Sequence, residues 1–333
     1  MVNYGYTLSS EEFSPRELVR LAIRAEELGF EFVSISDHFH PWVPQQPHSP
    51  FVWSTIGGVA MQTSRIRLGT GVTCPTFRIH PALVAQAAAT CQDMMEGRFY
   101  LGLGTGENLN EHVTGQGWPA YDVRRKMLEE AIGIIRLLWQ GGQQSYYGAY
   151  FTLENAEIFT MPEVLPEIYL AAAGPKAADV AGEFGDGLIA TAPHKEVVQN
   201  FDRAGGEGKP HYGQLTLCWA ESKEKAVKTA LQAWPTAGLK GELSQELPTP
   251  AHFSQATELV RHDDIEKAIV CGPDPDPVIE KVQEYVDAGF DHIYLHQVGP
   301  DQEGFFDFFE RELRSALPER RRPAGADVKR RAA

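Results

Sequence analysis

Positive charge is scarce in this chain of 333 residues: 30 Lys and Arg stand against 45 Asp and Glu, a net charge of −15. A surface that acidic repels phosphate backbones, which argues against general nucleic-acid binding. Cysteine is scarce too. Cys74, Cys91, Cys218 and Cys271 lie far apart, with no CxxC and no Cys/His cluster. A disulfide framework and structural zinc therefore drop out, and no metal is expected. No run of about 18 apolar residues exists to span a membrane, and Val2–Tyr6 reads as a strand rather than a signal-peptide core. A cytoplasmic, soluble protein is expected. Also missing are GxSxG, HExxH and any carboxylate metal motif.

What is present is a repeated joint. After the strand-like Val2–Tyr6, Ser14-Pro15-Arg16-Glu17 opens a helix: Ser14 as N-cap, Pro15 in the first turn, Glu17 completing a capping box. Leu18, Leu21, Ala22, Ala25 and Leu28 recur at helical spacing, and Gly29 ends the helix. The aromatic and β-branched run Phe30–Ser36 follows as a strand. The same joint returns at Val278–Ala288, Gly289 and Phe290–Leu295, and more weakly at Cys91–Gly102 and Val180–Ile189. Helix, glycine and strand repeated along a chain predict a parallel sheet wrapped by helices.

About eight strand candidates appear, at 2–6, 32–36, 66–70, 99–103, 167–171, 187–190, 214–219 and 291–296. That number favours a (β/α)8 TIM barrel over an open doubly wound sheet, whose glycine-rich turn is absent after the first strand. The spacing predicts one barrel domain over 1–317 with insertions near 105–165 and 220–262. The first insertion contains a long helix, with Met127, Leu128, Ala131, Ile132, Ile135, Leu138 and Trp139 on one face, and a hairpin around Tyr146–Phe151. From 318 to 333 six basic and two acidic residues stand without an apolar stripe, and a disordered tail is expected.

In a barrel the loops beyond the strands' C-terminal ends form the active face. Those loops bring Glu11, Asp37-His38 with Trp42, Cys74–Phe77, Gly104–Glu111, Ala173–Lys176 and Thr191–Lys195. His38 is suited to proton exchange near neutral pH. Trp42 is suited to stack on a planar ring, and Glu107 beside Gly102, Gly104 and Gly106 to act as a second acid or base. None of these groups does hard chemistry unaided, so an organic cofactor is implied.

The motifs Ser36–Trp42, Thr73–Arg78 and Gly102–Glu111 resemble the deazaflavin-dependent branch of the bacterial luciferase-like superfamily. The likeness is to its coenzyme F420-dependent glucose-6-phosphate and secondary alcohol dehydrogenases. It implies hydride transfer from an alcohol or sugar-phosphate CH–OH group to F420, with His38 taking the hydroxyl proton. Trp42 would pack near the reacting carbon, Glu107 would serve the cofactor's changing charge, and Glu11 would orient the site. The resemblance assigns cofactor contacts to Asp37, His38, Gly71, Val72, Cys74, Thr105, Gly106, Asn110, Ala173, Gly174, Lys176 and Ala177, with a cis peptide at Gly71–Val72. For substrate it offers Thr191 and the cations Lys195 (or His194), Lys240 and Lys267. Two alternatives stay open: an FMN-dependent monooxygenase or reductase on the same barrel, and a non-catalytic cofactor-binding protein. A homodimer paired through barrel helices is also expected from the resemblance.

Overall fold

The computed structural model describes residues 2–318. Eight strands close into a barrel: Asn3–Leu8 (β1), Phe32–Ile35 (β2), Arg67–Thr70 (β3), Phe99–Leu103 (β4), Glu167–Ala171 (β5), Gly187–Ala190 (β6), His211–Cys218 (β7) and His292–Gln297 (β8). Every neighbouring pair is parallel and β8 pairs back to β1, with Asn3 opposite His292. A two-residue strand, Val270–Cys271, adds to the end of β7. The fold is a (β/α)8 barrel, as the repeated joints predict.

The first joint shows how. In the helix Pro15–Glu27, Leu18, Leu21, Ala22 and Ala25 are buried against the barrel; burying each leucine contributes about 1.5–3 kcal/mol. Ser14 Oγ accepts the Glu17 amide, but the capping box is only half made, because the Glu17 carboxylate turns to Arg20 instead. Gly29 takes φ 77°, ending the helix in the left-handed region. The seventh strand starts at His211 rather than 214. It begins directly after Pro210, which has no N–H to give a ladder, and the polar His211 hides its role because it pairs with Asp202 beneath the barrel.

The barrel's N-terminal end is plugged by rings. Phe32, Tyr100, Tyr169, Tyr212 and Tyr294 form one buried cluster, and His292 stacks on Tyr212 with ring centres 4.2 Å apart. That plug leaves the opposite end as the place for a cavity. Beyond β4 come the short helix Asn108–Glu111, the long helix Tyr121–Leu138 and the hairpin strands Gln144–Tyr147 and Thr152–Ala156. The hairpin turn is held by the Glu130 carboxylate, which accepts the amides of Ala149, Tyr150 and Phe151. Beyond β7 run four short helices, Lys223–Ala233, Leu243–Glu246, Pro250–Thr257 and His262–Ala268. The basic run expected as a disordered tail lies outside the described residues from 319 on. No helix among the described residues is long and apolar enough to cross a membrane.

Candidate active site

A cavity of about 850 Å³ opens at the strands' C-terminal ends. Its first wall is the pair of tips of β1 and β2. Ser10 donates its amide to Ser36 Oγ and its hydroxyl to the Ser36 carbonyl, stitching the tips together. Glu11, buried, accepts hydrogen bonds from Ser9 Oγ (3.2 Å) and Ser36 Oγ (2.7 Å) on one oxygen. Its other oxygen lies 3.1 Å from His38 Nδ1, an ion-pair distance outside hydrogen-bond geometry. A carboxylate there favours a proton on that side of the ring and so leaves Nε2 free to accept one. Trp42 meets the imidazole edge-on, with ring centres 4.9 Å apart at 65°, and Phe253 packs against the other side of the indole.

The second wall is the segment after β4. Glu107 is half-buried at the start of the short helix Asn108–Glu111 and lines the same cavity as His38. Asn110 joins the two walls: its Oδ1 accepts the amides of Phe39 and His40, and its Nδ2 reaches Glu107 at 3.4 Å. Beneath them Arg78 donates to Asp37 Oδ1 at 2.8 Å, Thr73 donates to Asp37 Oδ2 at 2.7 Å, and the Arg78 amide donates to Glu111. Burial pushes the Glu111 carboxyl up to about 7, against the pull of Arg78. Cys74 is buried with its thiol on Thr76 Oγ1, and burial together with Glu111 drives it well above the usual thiol range. It is no nucleophile.

The structure gathers most of the residues singled out in the sequence. Glu11, His38, Trp42, Gly71, Val72 and Thr105 line the cavity, as do Gly106, Glu107, Ala173, Gly174, Lys176, Ala177 and Thr191. Gly71–Val72 is a cis peptide. Asp37, Cys74 and Asn110 are buried behind the wall and support it instead of lining it. Lys195, Lys240 and Lys267 are exposed and stand off the wall altogether. The cations that do line it besides Lys176 are Arg124 and Arg125. Arg124 lies 4.1 Å above the Trp118 ring and donates to the Pro119 carbonyl, Gln245 and Glu246; Arg125 pairs with Glu129.

A third wall went unforeseen. Gln214 on β7, Tyr294 and His296 on β8, and Trp234 after the helix Lys223–Ala233 complete the cavity. The signal was there as alternation: Tyr294 and His296 sit two apart, so both point into the barrel. Among the described residues no cluster of His, Cys, Asp or Glu could hold a metal.

The glycine-lined wall fits a flat ring. Gly104, Gly106 and Gly174 line it without side chains, and the wall is packed too closely to admit one at two of them: a Cβ on Gly104 would stand 2.7 Å from Val72 Cγ2, and one on Gly106 2.7 Å from Cys74 Sγ. The volume lies within the range of cofactor pockets, about 300–1,000 Å³.

The chain is 36% identical to an F420-dependent glucose-6-phosphate dehydrogenase of Mycolicibacterium gilvum, over 94% of this chain and 97% of that protein. It is 37% identical to a protein of the same name from Nocardia farcinica, with equal coverage. A solved F420-dependent secondary alcohol dehydrogenase, in complex with an F420-acetone adduct, superposes with a TM-score of 0.88 at 30% identity, covering 96% of this chain and 99% of that one. The family model described as luciferase-like monooxygenase matches residues 3–292, and the chain belongs to that luciferase-like family.

Proposed function

We propose that this protein is a coenzyme F420-dependent dehydrogenase that moves a hydride between a CH–OH carbon and the deazaflavin. One observation carries the reading: a partly buried imidazole, backed by a buried carboxylate, shares one glycine-walled cavity with a second carboxylate. The relatives' F420 dependence supports it.

Oxidising an alcohol to a carbonyl removes a hydride from carbon and a proton from oxygen. The deazaflavin, when bound, supplies the hydride acceptor. His38 takes the hydroxyl proton, contributing about 10²–10⁴-fold, and Glu11 holds the ring so that Nε2 faces the substrate. Trp42 fixes the imidazole and excludes water above it. Glu107, facing the same space, would act as an acid, giving up the proton that offsets the negative charge a hydride brings to the ring. Gly71, Val72, Thr105, Gly106, Ala173, Gly174 and Ala177 would form the cofactor's bed, with Asp37, Cys74 and Asn110 holding that bed in shape. Lys176, Arg124 and Arg125 would meet its anionic tail. One barrel domain would span 1–317, working in the cytoplasm. Two copies would pair through helices such as Val52–Ala60 and Pro81–Met94, where Met61 and Leu83 are exposed; sedimentation of the purified chain tests the pairing.

Fluorescence titration with F420 and with FMN tests the cofactor, and the fading of F420 absorbance with an alcohol panel tests the reaction. F420 binding tighter than FMN, followed by substrate-dependent reduction, is expected. Tighter FMN binding with oxygen or NAD(P)H consumption would sink the reading. Tight F420 binding without turnover would leave a carrier protein.

A further inference from the structure

Resting on the dehydrogenase reading, we infer that Gln46 is a positioning residue for donor selection: it ties the backbone at Trp42 to the backbone before Trp234, and the two indoles so fixed limit the size of alcohol admitted. Gln46 is buried and does not itself line the cavity. Its side chain makes three hydrogen bonds. Oε1 accepts the amides of Trp42 at 2.9 Å and Val43 at 3.4 Å, and Nε2 donates to the Ala233 carbonyl at 2.9 Å. Only this orientation of the carboxamide fits, because two donors face one end and an acceptor faces the other. The bonds join segments 187 residues apart, and each segment brings a tryptophan to the cavity wall.

Local structure on both sides explains why a glutamine serves here. The loop after β2 turns at Val43, whose carbonyl accepts the Gln46 amide at 3.0 Å, and the turn returns the side chain to the Trp42 amide. Across the gap, Ala233 is the last residue of its helix, so its carbonyl is one of those a helix end leaves open. Trp234 follows at once with φ −137° and ψ 52°, off the helical path, and meets His296 edge-on with ring centres 4.6 Å apart. Phe253, from the same insertion, packs behind Trp42 at 5.2 Å, in a cluster with the buried Val43 and Leu109. Packing therefore holds each indole, and Gln46 is the hydrogen-bonded link between their backbones.

Strand order gives that link its consequence. β7, β8, β1 and β2 stand side by side, so Trp234 after β7 and Trp42 after β2 flank the part of the cavity that holds Glu11 and His38. An alcohol with its hydroxyl on His38 lies between them, and the group beside its reacting carbon meets an indole. A pocket discriminates by size only as far as its walls refuse to move. Without Gln46 the Trp42 amide and the Ala233 carbonyl lose the partner they have here, and buried backbone groups shift to find another. The indoles shift with them and the size limit relaxes. His38 keeps Glu11 behind it, so selection changes more than the proton step does.

The test uses the full chain with F420 and two donors that differ in one group, propan-2-ol and 1-phenylethanol. The wild type should favour propan-2-ol in kcat/KM by about tenfold or more. In Gln46→Met that preference should shrink to about twofold or less, with F420 affinity by fluorescence unchanged. kcat for propan-2-ol should stay within about tenfold of the wild type, the most that an indole contact with His38 is worth. If Gln46→Met does not fold, Gln46→Glu decides, since it keeps an oxygen for the two amides but has no NH2 to give Ala233. Trp234→Ala should relax the preference as well, and adding Gln46→Met to it should change the ratio by less than about twofold further, because the glutamine acts through that indole. A preference that survives in the Gln46 variants, or a Gln46→Met effect undiminished beside Trp234→Ala, overturns the inference and leaves the dehydrogenase intact. So does a wild type that reduces F420 with sugar phosphates and with neither alcohol. Reduction of F420 by no donor overturns both readings together.

Discussion

Replacing His38 separates two contributions of one ring. Its edge contact with Trp42, at 4.9 Å and 65°, is worth about 0.5–1.5 kcal/mol, which is tenfold in rate at most. Taking the hydroxyl proton is worth about 10²–10⁴-fold, or roughly 3–5 kcal/mol. Chemistry therefore outweighs packing, and two variants show it. His38→Phe keeps a ring beside Trp42 and loses the base; His38→Ala loses both. F420 reduction should fall by about 10²–10⁴-fold in each, with the two within about tenfold of one another. The assay is stopped-flow loss of F420 absorbance at saturating cofactor, with F420 affinity measured separately by fluorescence so that weak binding is not mistaken for lost chemistry. His38→Phe retaining more than about one-tenth of kcat would refute the reasoning, since a phenyl ring cannot accept a proton.

Glu12 and His296 give opposite pH signatures. Glu12 rises from 4.5 to about 8 on folding, so in that window the folded chain holds the extra proton and stability falls as pH rises, by about 1.4 kcal/mol per unit at most. His296 drops from 6.5 to about 4, so the folded chain holds fewer protons there and stability rises with pH up to 6.5. Above pH 6.5 only the Glu12 effect of this pair remains, and urea unfolding should show Glu12→Gln gaining on the wild type between pH 6.5 and 8; a difference that does not change with pH would count against the assignment. Gly106→Ala should lose about 1–3 kcal/mol of stability, because φ is 76° and the new Cβ meets Cys74 Sγ at 2.7 Å and Glu111 Cγ at 2.9 Å; an unchanged melting temperature contradicts this. Arg124→Met should speed amide exchange across Leu243–Leu247, whose Gln245 and Glu246 side chains it holds; unaltered exchange would mean that the segment is held by other means.

The barrel was legible because its joints are written locally. An apolar helical stripe, a glycine and a β-branched run need no distant partner to be recognised, and Gly29 and Gly289 carry φ 77° and 109° where the pattern puts them. The first two walls were legible for a related reason: Glu11, His38 and Glu107 lie just past strand ends, the one position a barrel reserves for chemistry. Apart from Trp234, the third wall lies within strands, where Gln214 and His296 look like ordinary alternation until the closed barrel shows which face is inside. The lysines misled in the opposite sense. A cation near a motif in sequence says nothing of its direction, and Lys195, at the start of the helix Lys195–Phe201, is exposed.

Chemistry and selection therefore sit on parts of the chain with different stiffness. His38, Glu11 and Glu107 rest on strand tips laced by Ser36 and Asn110, a frame that holds a reacting geometry closely. The rim comes instead from the segment after β7, held by Gln46 on the Ala233 carbonyl, Asn108 on the Glu246 carbonyl, Trp118 on the Glu246 carboxylate and Arg124 on the Gln245 and Glu246 side chains. Within that segment an apolar cluster of Ala226, Val227, Ala230, Val260 and Ile265 is buried, whereas the helix Leu243–Glu246 buries none of its own residues, and such a piece is where local opening costs least. Changes in that segment can alter which alcohol is taken while the proton and hydride steps stay where the strand tips put them.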